Sequence, residues 1–330
     1  MTRNSRLEYD VVVIGGGAAG LSGALIAARS RRSVAVIDDG QPRNAPAHGV
    51  HGYLTRDGMP PAELVRVGRS EVEGYGGRLL TGRVEAVTPD GDRFTVALAD
   101  GGALTARRLL VATGLVDDLP DLAGLRERWG VDVVHCPYCH GWEVRDQRLA
   151  VLASGPMSVH QALLFRQLTA DFTYLSHALP PSPEQEEQLV ALGVRIVDGR
   201  ATSLEVVAGR LAGVRLADGT VARCTALAVA TRMRARAGFL TGLGLAPVEH
   251  PSGTGEHLPS DEFGRTDVPG VWAAGNVTDP SAQVGAAAAA GARAAAHINA
   301  DLVQQDVRQA VEAYRAAAGA PHGARAASTR

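Results

Sequence analysis

Lysine is absent from the 330 residues: the 33 strongly basic side chains are all arginine. Schiff-base chemistry through a lysine amine is therefore excluded. Cysteine is scarce, at three residues, too few for the disulfide framework of a small secreted domain. Neither sign of charge dominates. The formal net charge of −2 gives no reason to expect nucleic acid or an anionic membrane as partner. Long apolar runs are missing as well. The alanine-rich stretch 286–296 is broken by Gly291 and Arg293, and it is too short and too weakly apolar to span a bilayer. The opening MTRNSRLEYDVVVIGGGAAG lacks the layout of a signal peptide, because its apolar run leads straight into a glycine turn. A soluble, cytoplasmic protein is expected, without nucleic-acid or membrane partners.

What is present suits a two-domain globular chain, with 45% hydrophobic residues to build its cores. Residues 9–15 read as an apolar strand, 18–30 as a helix rich in Ala and Leu, and 33–38 as a second strand ending in acid. The turn between the first two is Gly15-x-Gly17-x-x-Gly20, and Asp38 follows eighteen residues later. That βαβ context turns a weak glycine pattern into a dinucleotide-binding signature. Gly15 permits the tight turn, Gly17 lets the backbone approach a pyrophosphate, and Gly20 lets the helix pack close to the sheet. The helix N-terminus offers N–H groups to the phosphates, and Asp38 can accept hydrogen bonds from a ribose diol.

Further along, 40–58 is an irregular polar loop too long for a plain connection. Its His48, His51 and Tyr53 suit a substrate pocket or a purely structural cover equally well. A helix is predicted over 62–75, strands over 83–88 and 93–98, and a strand over 104–114 that ends in LLVATG. A new section begins near Asp117. It contains a second strand–turn–helix start over 148–168, a strand at 172–176, a helix at 184–192, a strand at 195–197, a hairpin over 204–216 and a second ATG-like strand at 227–232. This is a repeated domain pattern. The strand of VPGVWAAGNVTD (268–279) and an alanine-rich helix over 283–301 follow, and the small, polar tail 319–330 is expected to be disordered.

Residues 133–144, VVHCPYCHGWEV, place Cys136 and Cys139 two residues apart with His140 directly after them. Cys-x-x-Cys-His is a haem-attachment spelling, Cys-x-x-Cys with histidines can hold zinc, and Cys-x-x-Cys alone can cycle as a redox disulfide. Covalent haem attachment normally follows export, and no export signal is evident. Zinc needs four ligands at suitable spacing, and no second ligand pair accompanies this one, so no metal is expected. Cys224, alone in a predicted strand, suits a buried small apolar role.

Taken in order, GGGAAG, LLVATG, CPYC and GVWAAGNV resemble the low-molecular-weight thioredoxin reductase-like flavoproteins, over about residues 9–310. The resemblance implies an α/β fold of two Rossmann-like three-layer domains. A discontinuous FAD domain, 1–116 and 241–318, would flank an inserted NAD(P)-binding-like domain, 117–240, and the protein would be a homodimer. It implies that Gly15, Gly17 and Gly20 cradle the FAD pyrophosphate and that Asp38 binds the adenosine ribose. Arg43 and Asn44 would lie along the cofactor, Thr113 and Gly114 near its adenosine half, and Gly275 and Asn276 at the ribityl chain and phosphate. Asn276 stands where the family usually has aspartate. Gln283 and Val284 would bring a helix N-terminus to the flavin pyrimidine ring. The resemblance also decides for redox chemistry at the cysteine pair, with Cys139 next to the flavin and Cys136 meeting substrate.

Two departures bear on the reaction. At the second nucleotide turn the family's GxGxxA is replaced by Ala153-Ser154-Gly155-Pro156-Met157-Ser158, which crowds the turn and removes one N–H donor. The following strand end, YLSHALPP, offers no arginine for a 2′-phosphate and no acid for a ribose, so NAD(P)H use is doubtful. His140 takes the place of the aspartate that follows Cys-x-x-Cys in thioredoxin reductases. Histidine there resembles the gliotoxin- and holomycin-type dithiol oxidase branch, which forms disulfides in small molecules and passes electrons to O₂. A catalytic proton-transfer role is expected of His140, and a structural one of His135. Three functions follow: a dithiol oxidase giving H₂O₂, an NAD(P)H-dependent thioredoxin-disulfide reductase-like enzyme, and a flavin-bearing redox sensor without turnover. The first is preferred, and the complete Cys-x-x-Cys-His argues against the third.

Overall fold

The structure, a computed structural model, describes residues 7–319. The polar tail expected over 319–330 lies, apart from Gly319, outside the described residues. Strand β1 (Leu7–Ile14), helix α1 (Ala18–Arg29), β2 (Val34–Asp38), helix α2 (Pro61–Gly74) and β3 (Arg78–Thr81) come first. They are followed by β4 (Val84–Asp90), β5 (Arg93–Leu98), β6 (Ala103–Val111) and β7 (Leu115–Asp118). The predicted elements up to this point recur within a few residues of their expected ends.

The first sheet runs β3-β2-β1-β6-β5-β4, with β1, β2 and β3 parallel to one another and β6 parallel to β1. β1 is apolar on both faces because both are covered. Val11 and Val13 pack with Ala19, Ala24 and Leu110 on the helical side, while Val12 and Ile14 pack with Leu109 and Val111 on the other.

The chain then enters a second unit. Its elements are α3 (Leu125–Arg128), β8 (Val133–Val134), α4 (Pro137–His140), β9 (Leu149–Leu152), α5 (Ser158–Arg166), β10 (Phe172–Leu175), α6 (Pro183–Ala191) and β11 (Arg195–Val197). A meander of β12 (Ala201–Val207), β13 (Arg210–Leu216) and β14 (Val221–Arg223) follows, then β15 (Ala226–Val229) and β16 (Arg232–Ala235). Strands β11-β10-β9-β15-β8 form a second parallel sheet, and Leu149 and Val151 face one core while Ala150 and Leu152 face another. The fold is α/β, with two sheets of nucleotide-binding type. The chain leaves and rejoins the first sheet through an antiparallel ribbon of β7 and β16.

After β17 (Val248–Glu249) and β18 (Glu256–His257), β19 (Val271–Ala273) pairs in parallel with Leu109–Val111 of β6. The strand expected across 268–279 is thus confined to three residues. Helix α7 (Val284–Gly319) is longer than the 283–301 expected from composition. Its polar second half is tied to the body: Asp301 bonds Arg108 at 2.5 Å, and Asp306 bonds both Arg32 at 2.7 Å and Arg107 at 2.5 Å. Among the described residues no helix is long and apolar enough to cross a membrane.

Candidate functional site

The turn from β1 into α1 is built around three glycines. Gly15 has φ +105°, and a Cβ there would lie 2.4 Å from the Ala112 carbonyl oxygen. A Cβ on Gly20 would fall 1.8 Å from the Gly15 carbonyl oxygen, so that glycine sets how closely α1 can approach its own strand. At Gly17 the opposite holds: a Cβ would meet no protein atom within 4 Å. Gly17 is also the N-cap of α1, and no side chain caps the helix. The first N–H groups of α1 therefore point into open space, which is the arrangement that takes an anionic phosphate. Asp38 accepts a hydrogen bond from the Gly16 N–H at 3.0 Å and lies 3.7 Å from Arg69.

These groups line one end of a cleft of about 710 Å³ that runs to the cysteine pair. Of the residues expected at the cofactor or in the Cys-x-x-Cys-His, all line it except Gly20 and Gly275, which are buried behind its wall; His48, His51, Tyr53 and Cys224 do not line it. Elongated, with open helix N–H groups at one end and the cysteine pair at the other, the cleft fits a dinucleotide flavin. Thr113 closes one side by donating to the Arg236 carbonyl at 2.6 Å. Arg43 holds Asp117 with two bonds, 2.6 and 2.7 Å, and Asp117 also accepts the Thr231 hydroxyl at 2.6 Å. Burial alone would raise the Asp117 carboxyl, but the Arg43 bonds and charge, with Thr231, hold it below the usual carboxylate range. Asn276 donates from Nδ2 to the carbonyls of Ala282 at 2.8 Å and Asp279 at 3.1 Å, shaping the entry to α7. An ionised aspartate could only accept at that position, so the amide has a structural reason to replace it.

The cysteines sit on α4, started by Pro137 at its first turn. Both are thiols, and Cys136 is the N-cap, its Sγ accepting the Cys139 N–H at 3.2 Å. The Cys139 thiol donates to Cys136. That bond, working against burial and helped by the Cys139 and Tyr138 N–H groups and by Arg43, brings Cys136 down to about 7. The same bond, burial and the Cys136 charge push Cys139 up. The first thiolate of the reduced pair is thus Cys136. Cys224 is buried and its thiol is pushed up to about 12, mainly by burial, in keeping with an apolar role.

The two ring nitrogens of His140 are buried and have no hydrogen-bond partner among the described residues. Burial lowers its pKa below the ordinary imidazole value; Glu143 opposes that, while His51, His48 and His135 add to it. His135 is held structurally: Nδ1 lies 3.0 Å from the Val229 carbonyl, and its own carbonyl accepts from Gln161 at 2.5 Å. Among the described residues no cluster of three or more His, Cys, Asp or Glu is arranged to hold a metal ion.

The second nucleotide-type turn, between β9 and α5, is closed from within. The buried Ser158 hydroxyl accepts from the backbone N–H groups of Ser154 and Gly155, each at 3.1 Å. Ser154 donates to the Ala230 carbonyl at 2.7 Å. At the neighbouring strand end, His177 has φ +34° and its Nδ1 accepts the Ala201 N–H at 2.9 Å. Ser158, Asp117 and Glu143 were not singled out from sequence. Ser158 alone carried a local signal, a small hydroxyl at the last position of the turn, three and four residues after the N–H groups it accepts from.

The family model described as pyridine nucleotide-disulphide oxidoreductase matches residues 9–316. The chain is 36% identical over 284 residues to a protein named thioredoxin reductase tcpT from Claviceps purpurea (strain 20.1), covering 81% of this chain and 86% of that one. It is 29% identical over 317 residues to thioredoxin reductase sirT from Leptosphaeria maculans, covering 91% and 96%. A solved structure described as "Crystal structure of HlmI" superposes with a TM-score of 0.89 at 44% identity, covering 97% of this chain and 99% of that chain.

Proposed function

Since the chain belongs to the pyridine nucleotide-disulphide oxidoreductase family, whose members are flavin-dependent enzymes acting on sulfur groups, we propose that it is an FAD-dependent dithiol oxidase. It forms a disulfide in a small-molecule dithiol with O₂ as terminal acceptor. The observation that carries this reading is Ser158. Its hydroxyl occupies the N–H groups that a nicotinamide cofactor's pyrophosphate would need, while Cys136 and Cys139 open onto the other cleft.

The residues then divide the work. A substrate thiol gives its proton to His140 and attacks Cys136 of the disulfide form, releasing Cys139 as thiolate. The second substrate thiol displaces Cys136, and the product leaves as a disulfide. The Cys136 environment, which favours the thiolate, makes it a good leaving group in that second step. FAD, when bound, would supply the two-electron acceptor for the Cys136–Cys139 dithiol, with O₂ as terminal acceptor giving H₂O₂. The chain's own part is to hold the flavin: Gly15 and Gly17 at the pyrophosphate, Asp38 at the ribose, Arg43, Asn44, Thr113 and Gly114 along it, and Asn276, Gln283 and Val284 at the ring end. Gly20 and Gly275 support that cradle from behind.

In this reading 1–116 and 241–318 form the FAD domain and 117–240 the inserted one. The protein is a cytoplasmic homodimer. Scarce cysteine supports a reducing compartment. Val303, Val307, Val311 and Tyr314, exposed along one face of α7, support association.

The alternative, an NAD(P)H-dependent reductase, is favoured by the names of the relatives and by the retained second parallel sheet. Anaerobic flavin absorbance on adding NADPH, NADH or dithiothreitol in turn separates the two. The oxidase reading expects rapid bleaching by dithiothreitol alone, then recovery in air with H₂O₂ formed. Faster bleaching by NADPH than by any dithiol overturns it.

A further inference from the structure

The backbone just before the cysteine pair is held by α5. Gln161, in the first turn of that helix, donates from Nε2 to the His135 carbonyl at 2.5 Å, across 26 residues of sequence. Gln161 is 6% exposed, and its Oε1 is buried with no hydrogen-bond partner among the described residues. A carbonyl oxygen can only accept, so the amide must turn its NH₂ toward His135 and leave Oε1 unmet. An unmet buried acceptor costs about 1–3 kcal/mol. Methionine would span the same position without that acceptor. Packing therefore does not account for the amide; its gain is the grip on one peptide.

That peptide sets where Cys136 sits. The His135 carbonyl and the Cys136 N–H share a single plane, so fixing the oxygen fixes the nitrogen from which the Cys136 backbone turns. Cys136 then takes φ −106° and ψ 125° as N-cap of α4, and its Sγ accepts the Cys139 N–H at 3.2 Å. The far end of the cysteine segment rests against the same helix. A Cβ on Gly141 would collide with the Leu168 side chain, and the Asp146 N–H donates to the Leu168 carbonyl at 3.0 Å, just past the end of α5. Val134 and Val144, on either side of the cysteines, share one core with Val159, Ala162 and Phe165 of α5. Ser158, which closes the nucleotide-type turn, lies three residues before Gln161 on the same helix.

We propose that Gln161 is a positioning residue for Cys136, and that the inserted domain, its own turn closed by Ser158, serves through α5 as the rigid mount of the cysteine turn. This rests on the reading of Cys136 as the sulfur that the substrate thiol attacks. Such attack needs the incoming sulfur aligned with the disulfide, so a small displacement of Cys136 is felt in the rate. Gln161 itself exchanges no proton or electron with substrate.

The test uses the FAD-loaded enzyme with Gln161→Met and Gln161→Glu, reduced anaerobically by dithiothreitol. Gln161→Met keeps the length and removes the donor. Its urea midpoint should stay close to that of wild type, because one unmet acceptor, the His135 carbonyl, replaces another. Flavin reduction should slow roughly tenfold, part of the hundredfold that about an ångström of misplacement can cost. Gln161→Glu can donate to the carbonyl only when its carboxyl is protonated, as burial favours. Compared with wild type at the same pH, it should be near normal at about pH 6 and slow at about pH 9, whereas Gln161→Met is slow at both. Wild-type rates in both variants at both pH values overturn the grip and leave the oxidase reading standing. Slow reduction that Gln161→Glu does not recover at low pH, or that comes with a matching fall in urea midpoint, also overturns it, marking a merely structural role. Failure of dithiothreitol to bleach the wild type overturns the reading beneath it. The grip is then decided by iodoacetamide alkylation of Cys136 in the reduced protein, read by peptide mass: a wild-type rate in Gln161→Met overturns it, and the same pH-dependent recovery in Gln161→Glu upholds it.

Discussion

The Ser158 hydroxyl lies 3.1 Å from the Gly155 backbone nitrogen and accepts its hydrogen bond, as it does from Ser154 one residue earlier. A turn of nucleotide-binding type thus satisfies its own donors. Ser158 is 1% exposed, and it reaches back to two residues that are themselves only half-buried.

Ser158→Ala should therefore destabilise the protein. Leaving a buried N–H unpaired costs about 1–3 kcal/mol, and the half-buried setting of Ser154 and Gly155 puts the expected total loss near the lower end of that range. Urea denaturation of the flavin-loaded protein reads this directly. An unchanged midpoint would mean that the turn reorganises freely and that its donors were never committed.

Gly17→Leu should abolish flavin binding and spare the fold. A Cβ at Gly17 meets no protein atom, so the chain has room for the side chain, which then occupies the pyrophosphate position. The purified variant should be colourless, with far-UV circular dichroism like that of the stripped wild type. A yellow Gly17→Leu protein would place the cofactor elsewhere.

Cys136→Ser should give a long-wavelength charge-transfer band in the oxidised enzyme, and Cys139→Ser should not. Cys139 is pushed up by its hydrogen bond to Cys136, by burial and by the Cys136 charge; the substitution removes that thiol and its charge and leaves Arg43 to favour the thiolate. Visible spectra of the two variants decide the assignment, and the reverse pattern exchanges the roles of the sulfurs.

The pH dependence of dithiol oxidation should show an inflection below the ordinary imidazole value of 6.5, because burial favours the neutral form of His140. The sign follows from the role: a base must be unprotonated, so the rate rises with pH through that point and is lost below it. His140→Ala should remove the inflection, retain FAD and slow the reaction by about a hundredfold, a usual size for general-base loss. An identical pH profile in the variant would assign the inflection to another group.

Much of this protein was legible in its residues alone. The strand–glycine–helix start, Asp38 at the end of the second strand, the repeated ATG-type strand and the Cys-x-x-Cys-His all depend on neighbours close in sequence, where periodicity and turn stereochemistry act. The α/β class and the family followed from their order. The tertiary structure decided what lies beyond local reach. Arg43 and Asp117 are 74 residues apart, and nothing in either neighbourhood announces their bond. His51 meets Glu143 only because the loop after β2 folds over the cysteine segment. Helix α7 outruns its alanine-rich stretch because Asp301 and Asp306 find arginines on β2's approach and on β6. Asn276 has its reason in carbonyls of a turn whose shape the sequence does not show. Even the closed second turn, suspected from a lost glycine and a gained proline, is closed by neither. Ser158 does it, because helix α5 begins where its hydroxyl can reach back to two N–H groups, and that placement is set by how the helix packs on its sheet.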